Sequence, residues 1–125
     1  MLIDTDILIW YLRGHVPAAR FLHDTSGIAA SAVTYMELVQ GMRSKSELRT
    51  LQRQLREWEL PIHPISESIS DRASFLVEQH FLSHSLQLAD ALIAGTALEH
   101  GLKLATGNVK HFEAIDQLDI VEFHP

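Results

Sequence analysis

Four polar residues sit inside otherwise apolar stretches of this chain. Asp4 follows Leu2 and Ile3. Glu37 lies within SAVTYMELVQG, Asp90 within LADALIAGTAL, and Asn108 at the end of LATGN. A bare carboxylate in a core is costly, so embedded acids require cations or hydrogen-bond donors. No matching Lys or Arg is embedded with these acids, which points to a bound divalent cation. Mg²⁺ suits such a set, because it takes oxygen ligands in octahedral geometry and keeps several of its waters. A carboxylate-bound Mg²⁺ lowers the pKa of a water, orients it for in-line attack on a phosphodiester and stabilises the leaving oxygen. That chemistry needs acids and a metal, and no nucleophilic side chain.

Each residue also has an ordinary structural reading. Asp4 can cap the helix that begins beside it. Asp6 can cap or solvate the first turn, and Asp90 can serve as an N-terminal charge favoured by the helix dipole. Glu37 can be a solvated helix residue between Met36 and Leu38. Asn108 is of a type common in turns. These readings explain the residues singly but not their joint occurrence.

The elements that must position them alternate between strand and helix. Residues 1–4 read as a buried strand ending in a carboxylate. In open α/β folds, that strand edge is where ligands bind. A helix over 6–12 follows, then a short helix to about residue 23 with Pro17 at its start. Residues 27–31 are a second strand, and a helix over 33–42 frays at Gly41. Residues 45–58 form the clearest amphipathic helix, with Leu48, Leu51, Leu55 and Trp58 on one stripe. The proline-bounded segment 61–65 is an edge strand at best. Ser66 and Ser68 offer caps for the next helix, whose stripe is Ile69, Ala73, Leu76 and Val77. A helix over 88–100 closes at Gly101. A strand over 102–105, a helical turn over 109–112 and a strand over 120–123 complete the chain. This alternation predicts a parallel sheet with helices on both faces. Asp4, Thr106 and Asn108 then fall at strand ends, with Glu37 and Asp90 near helix starts.

The chain has 125 residues, enough for one domain over 1–125 with a real core. It lacks cysteine, which excludes disulfides, zinc–thiolate sites and thiol catalysis. No apolar run approaches the length of a membrane helix, and no signal-peptide pattern opens the chain. A cytoplasmic location is the expectation. The net charge of −6 argues mildly against nucleic acid. The charge is unevenly placed, however. Arg43, Lys45, Arg49, Arg53 and Arg56 cluster, while the embedded acids form a set that a cation would neutralise.

LIDTD, SAVTYMELVQG, LADALIAGTAL and LATGNVKHF, in that order, resemble the PIN-domain ribonucleases, specifically the VapC toxins of toxin–antitoxin pairs. The resemblance spans almost the whole chain. It implies an α/β, three-layer α/β/α fold with a central parallel sheet flanked by helices. It implies Mg²⁺- or Mn²⁺-dependent endonucleolytic cleavage of RNA, leaving a 5′-phosphate and a 3′-hydroxyl. Asp4 and Asp90 would be the principal metal ligands. Glu37 would bind metal, directly or through water, and position the nucleophilic water. Asn108 matches a position that often carries a fourth acid, and Thr106 a hydroxyl near the site.

Three positions depart from the family pattern. Asp6 stands where Asn is common, Asn108 is neutral, and His111 occupies a position that is often acidic before an aromatic. The expectation is one tightly held Mg²⁺, with a second bound only with the help of RNA phosphate and with Asp6 offsetting the missing acid. His111 is a proton donor or phosphate contact at the rim, or else a surface residue beside Lys110. Among His63, His80, His84 and His100, only His80 and His84 have an i, i+4 metal-like spacing.

Arg49, Arg53 and Arg56 lie opposite the leucines of the 45–58 helix, with Arg49 and Arg53 one turn apart. This face could bind phosphate or a protein partner. The resemblance implies a cognate VapB-type antitoxin over this region and a homodimer. Trp10, Tyr11 and Leu12 are core or antitoxin contacts. Three other classes were weighed on the residues. A haloacid-dehalogenase-like phosphatase needs a longer chain, and a receiver domain needs a phosphoacceptor Asp on a middle strand. A catalytically silent PIN-like module binding RNA or protein draws support from Asn108.

Overall fold

The computed structural model describes residues 1–83 and 85–125. In chain order it contains β1 (Leu2–Ile3), α1 (Thr5–Leu12), α2 (Val16–Asp24), β2 (Ala30–Ser31) and α3 (Ala32–Gln40). Then come α4 (Lys45–Trp58), β3 (Ile62–His63), α5 (Glu67–His80), α6 (Leu88–Glu99) and β4 (Leu104–Thr106). A 3₁₀ turn over Val109–His111 and β5 (Ile120–Glu122) finish the chain.

β1, β4 and β5 form a parallel sheet in that spatial order, and β2 pairs in parallel with β3. A bridge between Leu2 and Ala29, with the Ile3 N–H donated to the Ala29 carbonyl at 2.9 Å, joins the two. The combined order is β3-β2-β1-β4-β5. From β1 the chain winds outward to β3 on one side, and β4 and β5 lie on the other. The order therefore reverses between β1 and β4, the place where open α/β sheets leave a crevice at their carboxyl ends.

Alternation along the strands divides the core into two layers. Leu2, Ala29 and Leu104 face α5 and α6, packing with Ala73, Leu76, Ile93, Ala94 and Ala97. Ile3, Ala30 and Ala105 face the other way, onto Ile7 and Leu8 of α1, Ala18 and Leu22 of α2, and Leu51 of α4. The expected three layers are present. β3 is the edge strand predicted at the proline-bounded segment.

Most helices begin at the residue types that favour starts. Side chains of Ser31, Ser44 and Ser66 accept the N–H groups of Val33, Glu47 and Ile69, opening α3, α4 and α5. Gly101 follows α6 with φ at +62°, the left-handed geometry expected of a glycine just past a helix end. Several boundaries moved by a residue or two. α1 starts at Thr5 rather than residue 6, and α3 at Ala32 rather than 33. β4 starts at Leu104 rather than 102 and extends to Thr106, because its register with β5 pairs Thr106 with Glu122. On α4 only Leu51 is buried; Leu48, Leu55 and Trp58 are half-buried, so this helix covers the core incompletely. Among the described residues no helix is long and apolar enough to cross a membrane.

Candidate active site

Asp4 stands between the end of β1 and the start of α1. It is 5% exposed. Its Oδ1 accepts the Thr5 N–H at 2.8 Å, so the residue does cap α1. Its Oδ2 accepts the Thr106 hydroxyl at 2.7 Å. Thr106 ends β4, the strand beside β1, and its oxygen in turn accepts the Asn108 N–H at 2.9 Å. Asp4 thus caps α1 with one carboxylate oxygen and is bound to the end of β4 through the other.

Asp6 is neither a simple cap nor a solvated charge. It is half-buried, and one oxygen accepts the Ile7 N–H at 2.9 Å. The other accepts the Gly107 N–H at 2.9 Å and the Asn108 side-chain amide at 3.3 Å. A Cβ on Gly107 would lie 2.6 Å from that oxygen, so the missing side chain is what admits Asp6. Asp6 therefore reaches across to the loop after β4 and lies beside the neutral Asn108.

Glu37 lies in the middle of α3 rather than near its start, because α3 begins directly at β2. It is half-buried, and its Oε1 accepts the Thr5 hydroxyl at 2.7 Å. That hydroxyl also lies 3.0 Å from the hydroxyl of Thr34. Asp90 falls in the first turn of α6, where its Oδ2 accepts the Gln87 N–H at 3.0 Å. The helix-charge reading of Asp90 holds as well. The same oxygen lies 3.3 Å from Nδ1 of His111, whose side chain is 44% exposed against 14% for Asp90. His111 is thus at the rim of the acidic group and in contact with it.

The electrostatics follow from crowding. Burial, followed by the nearby charge of Asp6, pushes the Asp4 carboxyl up to about 7. Hydrogen bonds from Thr106 and Thr5 pull it back, and Asp90 adds a further push. Burial also raises Asp6, opposed by the N–H groups of Gly107 and Ile7. Among the described residues, no Lys or Arg forms an ion pair with Asp4, Asp6, Glu37 or Asp90.

A model of the PIN domain matches residues 1–118. Ribonuclease VapC10 of Mycobacterium tuberculosis is 38% identical over 122 residues, covering 94% of this chain and 90% of that protein. The chain belongs to the PIN-domain family of VapC ribonucleases. Ribonuclease VapC19 of the same organism is 34% identical over 124 residues, covering 94% of this chain and 95% of that protein. A toxin–antitoxin complex from Klebsiella pneumoniae matches with a TM-score of 0.80 at 31% identity, covering 98% of this chain and 97% of that one. VapBC2 from Rickettsia felis, bound to a DNA fragment from their promoter, matches with a TM-score of 0.82 at 22% identity, which speaks to fold alone. The α/β PIN fold and the ribonuclease class expected of this sequence are those of its relatives.

Linked hydrogen bonds bring Asp4, Asp6, Thr106 and Asn108 together, and Thr5 joins Glu37 to them. Asp90 acts on Asp4 through its charge and carries His111 with it. Among the described residues, no three acids or histidines crowd into a ready-made metal cage. The donor set still fits a hard cation: its oxygens are carboxylate, hydroxyl and amide. Mg²⁺ is commonly held by one or two carboxylates, with water completing the shell.

Sequence reasoning did not assign roles to Thr5, Thr34 and Gly107. Thr34 precedes Glu37 by one helical turn, and Thr5 sits between two aspartates, which were the available signals. His63 and His100, unrelated by spacing, stack at 3.9 Å across β3 and the end of α6. The His80–His84 pairing lies outside the described residues on its His84 side. On α4, Arg53 lies 3.9 Å from Glu57, and both are exposed. Trp10 packs on His15, and Tyr11 on Trp58, at ring distances of 4.6 Å and 5.2 Å.

Proposed function

We propose that this chain is the toxin of a toxin–antitoxin pair, a single PIN domain over residues 1–125 that hydrolyses RNA phosphodiester bonds endonucleolytically. Its cofactor is Mg²⁺, with Mn²⁺ acting in its place. The observation that carries this reading is the carboxylate of Asp4, buried beside Asp6 and raised chiefly by that burial and then by Asp6, with no Lys or Arg paired to it among the described residues. A divalent cation is what such a group lacks.

Asp4 and Asp90 would hold the ion from the end of β1 and the first turn of α6, and Glu37 would contribute as a ligand, directly or through water. The chemistry such an ion would supply is an activated water and neutralised charge on the phosphate. One oxygen of Glu37 is tied to Thr5, which would leave the other to orient the water. Thr106 keeps Asp4 turned toward the crevice. Asp6 adds the negative charge that Asn108 lacks, and Asn108 orients it through an amide hydrogen bond. His111, beside Asp90 at the rim, contacts the incoming RNA phosphate.

A neighbouring toxin–antitoxin complex supports an antitoxin as partner, here of VapB type; the homodimeric toxin and the cytoplasmic site of action rest on the family resemblance alone. The test compares wild type with Asp4→Asn in RNA cleavage with Mg²⁺ and with EDTA. Mg²⁺-dependent cleavage by wild type alone is expected. Equal RNA binding with cleavage by neither protein would assign the chain to the catalytically silent class instead.

A further inference from the structure

Thr5 hydrogen-bonds both Asp4 and Glu37. Its backbone N–H serves Asp4 at 2.8 Å and its hydroxyl serves Glu37 at 2.7 Å. The two carboxylates come from elements far apart in sequence, the end of β1 and the middle of α3. Thr5 is buried at 7% exposure, and Thr34 is fully buried. A threonine hydroxyl carries one proton and two lone pairs. The Thr5 hydroxyl is the donor both to Glu37 at 2.7 Å and to Thr34 at 3.0 Å. One proton cannot serve both fully, and the charged, closer carboxylate of Glu37 is the stronger acceptor.

Thr34 and Glu37 lie one turn apart on α3 and so share a face. Both accept from the Thr5 hydroxyl, which ties α3 to the first residue of α1. The bond to the carboxylate is charge-assisted and the stronger of the two. Rotation of Glu37 away from Thr5 breaks it and leaves a nearly buried hydroxyl with only the longer contact to Thr34.

We propose that Thr5 is the positioning residue of the site: bonded to Asp4 through its backbone and to Glu37 through its hydroxyl, Thr5 sets the orientation of Glu37 relative to Asp4 for metal binding and for water attack. This rests on the metal-dependent ribonuclease reading above. Groups that orient metal ligands commonly carry tenfold to hundredfold effects on affinity or activity. The backbone N–H to Asp4 survives any side-chain change at this position. Substitution therefore perturbs Glu37 and leaves the capping bond of Asp4 in place.

The experiment uses the full chain as wild type, Thr5→Val, Thr5→Ser and Thr34→Val. Mn²⁺ binding is measured by electron paramagnetic resonance without RNA, and RNA cleavage is measured at saturating Mg²⁺. Thr5→Val is expected to weaken Mn²⁺ about tenfold and lower kcat about tenfold, with KM for RNA within about twofold of wild type. Thr5→Ser restores both values to within about threefold of wild type, because it keeps the hydroxyl. Thr34→Val stays within about threefold of wild type, because it removes only the competing acceptor of the Thr5 proton. Wild-type values for both Mn²⁺ affinity and kcat in folded Thr5→Val overturn the proposal. So does a Thr5→Ser protein as impaired as Thr5→Val, since packing of the methyl would then be the cause. Should Thr5→Val not fold, Thr5→Ala takes its place, and wild-type values for both in Thr5→Ala overturn it. Wild type that neither binds Mn²⁺ nor cleaves RNA removes the ribonuclease reading itself, a different failure from a wild-type enzyme indifferent to Thr5.

Discussion

Replacing Asp4 with Asn should stabilise the metal-free protein while abolishing its response to Mg²⁺. The carboxyl is raised from 3.8 to about 7, chiefly by burial and then by Asp6. Such a displacement corresponds to roughly 4 kcal/mol by which the native state disfavours the anion above pH 7. Asn is neutral and of the same shape, so this cost disappears. Its Oδ1 still accepts the Thr5 N–H, and Asn is as good a helix cap as Asp. Its amide must instead donate to Thr106, which already accepts from Asn108, so the Thr106 proton loses its partner. That loss costs about 1–2 kcal/mol. A net gain of about 2 kcal/mol remains, or roughly 5–10 °C in Tm for a domain of this size.

Thermal unfolding in EDTA at pH 8 measures this directly, and the pH dependence gives the sign independently. The folded pKa of Asp4 lies above its unfolded value, so the folded state holds the proton more tightly. Its contribution is fully present below the unfolded value and is lost as pH rises through about 7. Asp6 shifts in the same direction. Metal-free wild type should therefore lose stability between about pH 4 and 7, and Asp4→Asn should lose less over that window. Mg²⁺ competes with the proton, so its stabilisation of wild type should be larger at pH 8 than at pH 5. A lower Tm for Asp4→Asn than for wild type in EDTA at pH 8 refutes the reasoning. The carboxylate would then be a net stabilising acceptor rather than a strained anion.

Gly107→Ala should displace Asp6, because the added Cβ meets its carboxylate at 2.6 Å. A stability loss of about 1–2 kcal/mol in urea titration and weaker Mn²⁺ binding are expected. Asn108→Asp should place a second charge beside Asp6. It should lower the Tm in EDTA and add Mg²⁺ binding by isothermal titration. Glu59→Gly should raise stability by about 0.5–1 kcal/mol, since Glu59 ends α4 at φ 56°, a conformation glycine adopts more readily. Thermal unfolding decides it, with RNA cleavage unchanged.

The layers of the fold were legible because the strands alternate between two faces and the helices carry their caps. Leu2 and Ile3 go to opposite layers, and Ser31, Ser44 and Ser66 open helices where serine is favoured. Boundaries were less legible where pairing rather than propensity decides them. β4 is read two residues early because Leu102 and Lys103 suit a strand, whereas its register with β5 begins at Leu104. Apolar spacing on α4 foretold a stripe but not its depth. How far Leu48 and Trp58 sink depends on what lies opposite, which periodicity does not contain.

The acids of the site were visible because burial next to apolar residues makes a carboxylate conspicuous. Their supports were not, because hydroxyls and glycines are ordinary in such positions. Thr5 gains its importance only when α3 is laid beside α1, and Gly107 only when Asp6 turns toward the loop after β4. The same geometry changes the meaning of Asn108. As a sequence departure it subtracts a charge from the site. In the structure its amide lies 3.3 Å from Asp6, so the charge missing at one residue is present on its hydrogen-bond partner. Two acids at those neighbouring positions would repel each other beside an Asp4 already pushed up to about 7. One acid and one amide keep a carboxylate in place without that added repulsion. With Asn108 neutral, Asp6 is the single carboxylate of this neighbouring pair and stays tied to the loop after β4.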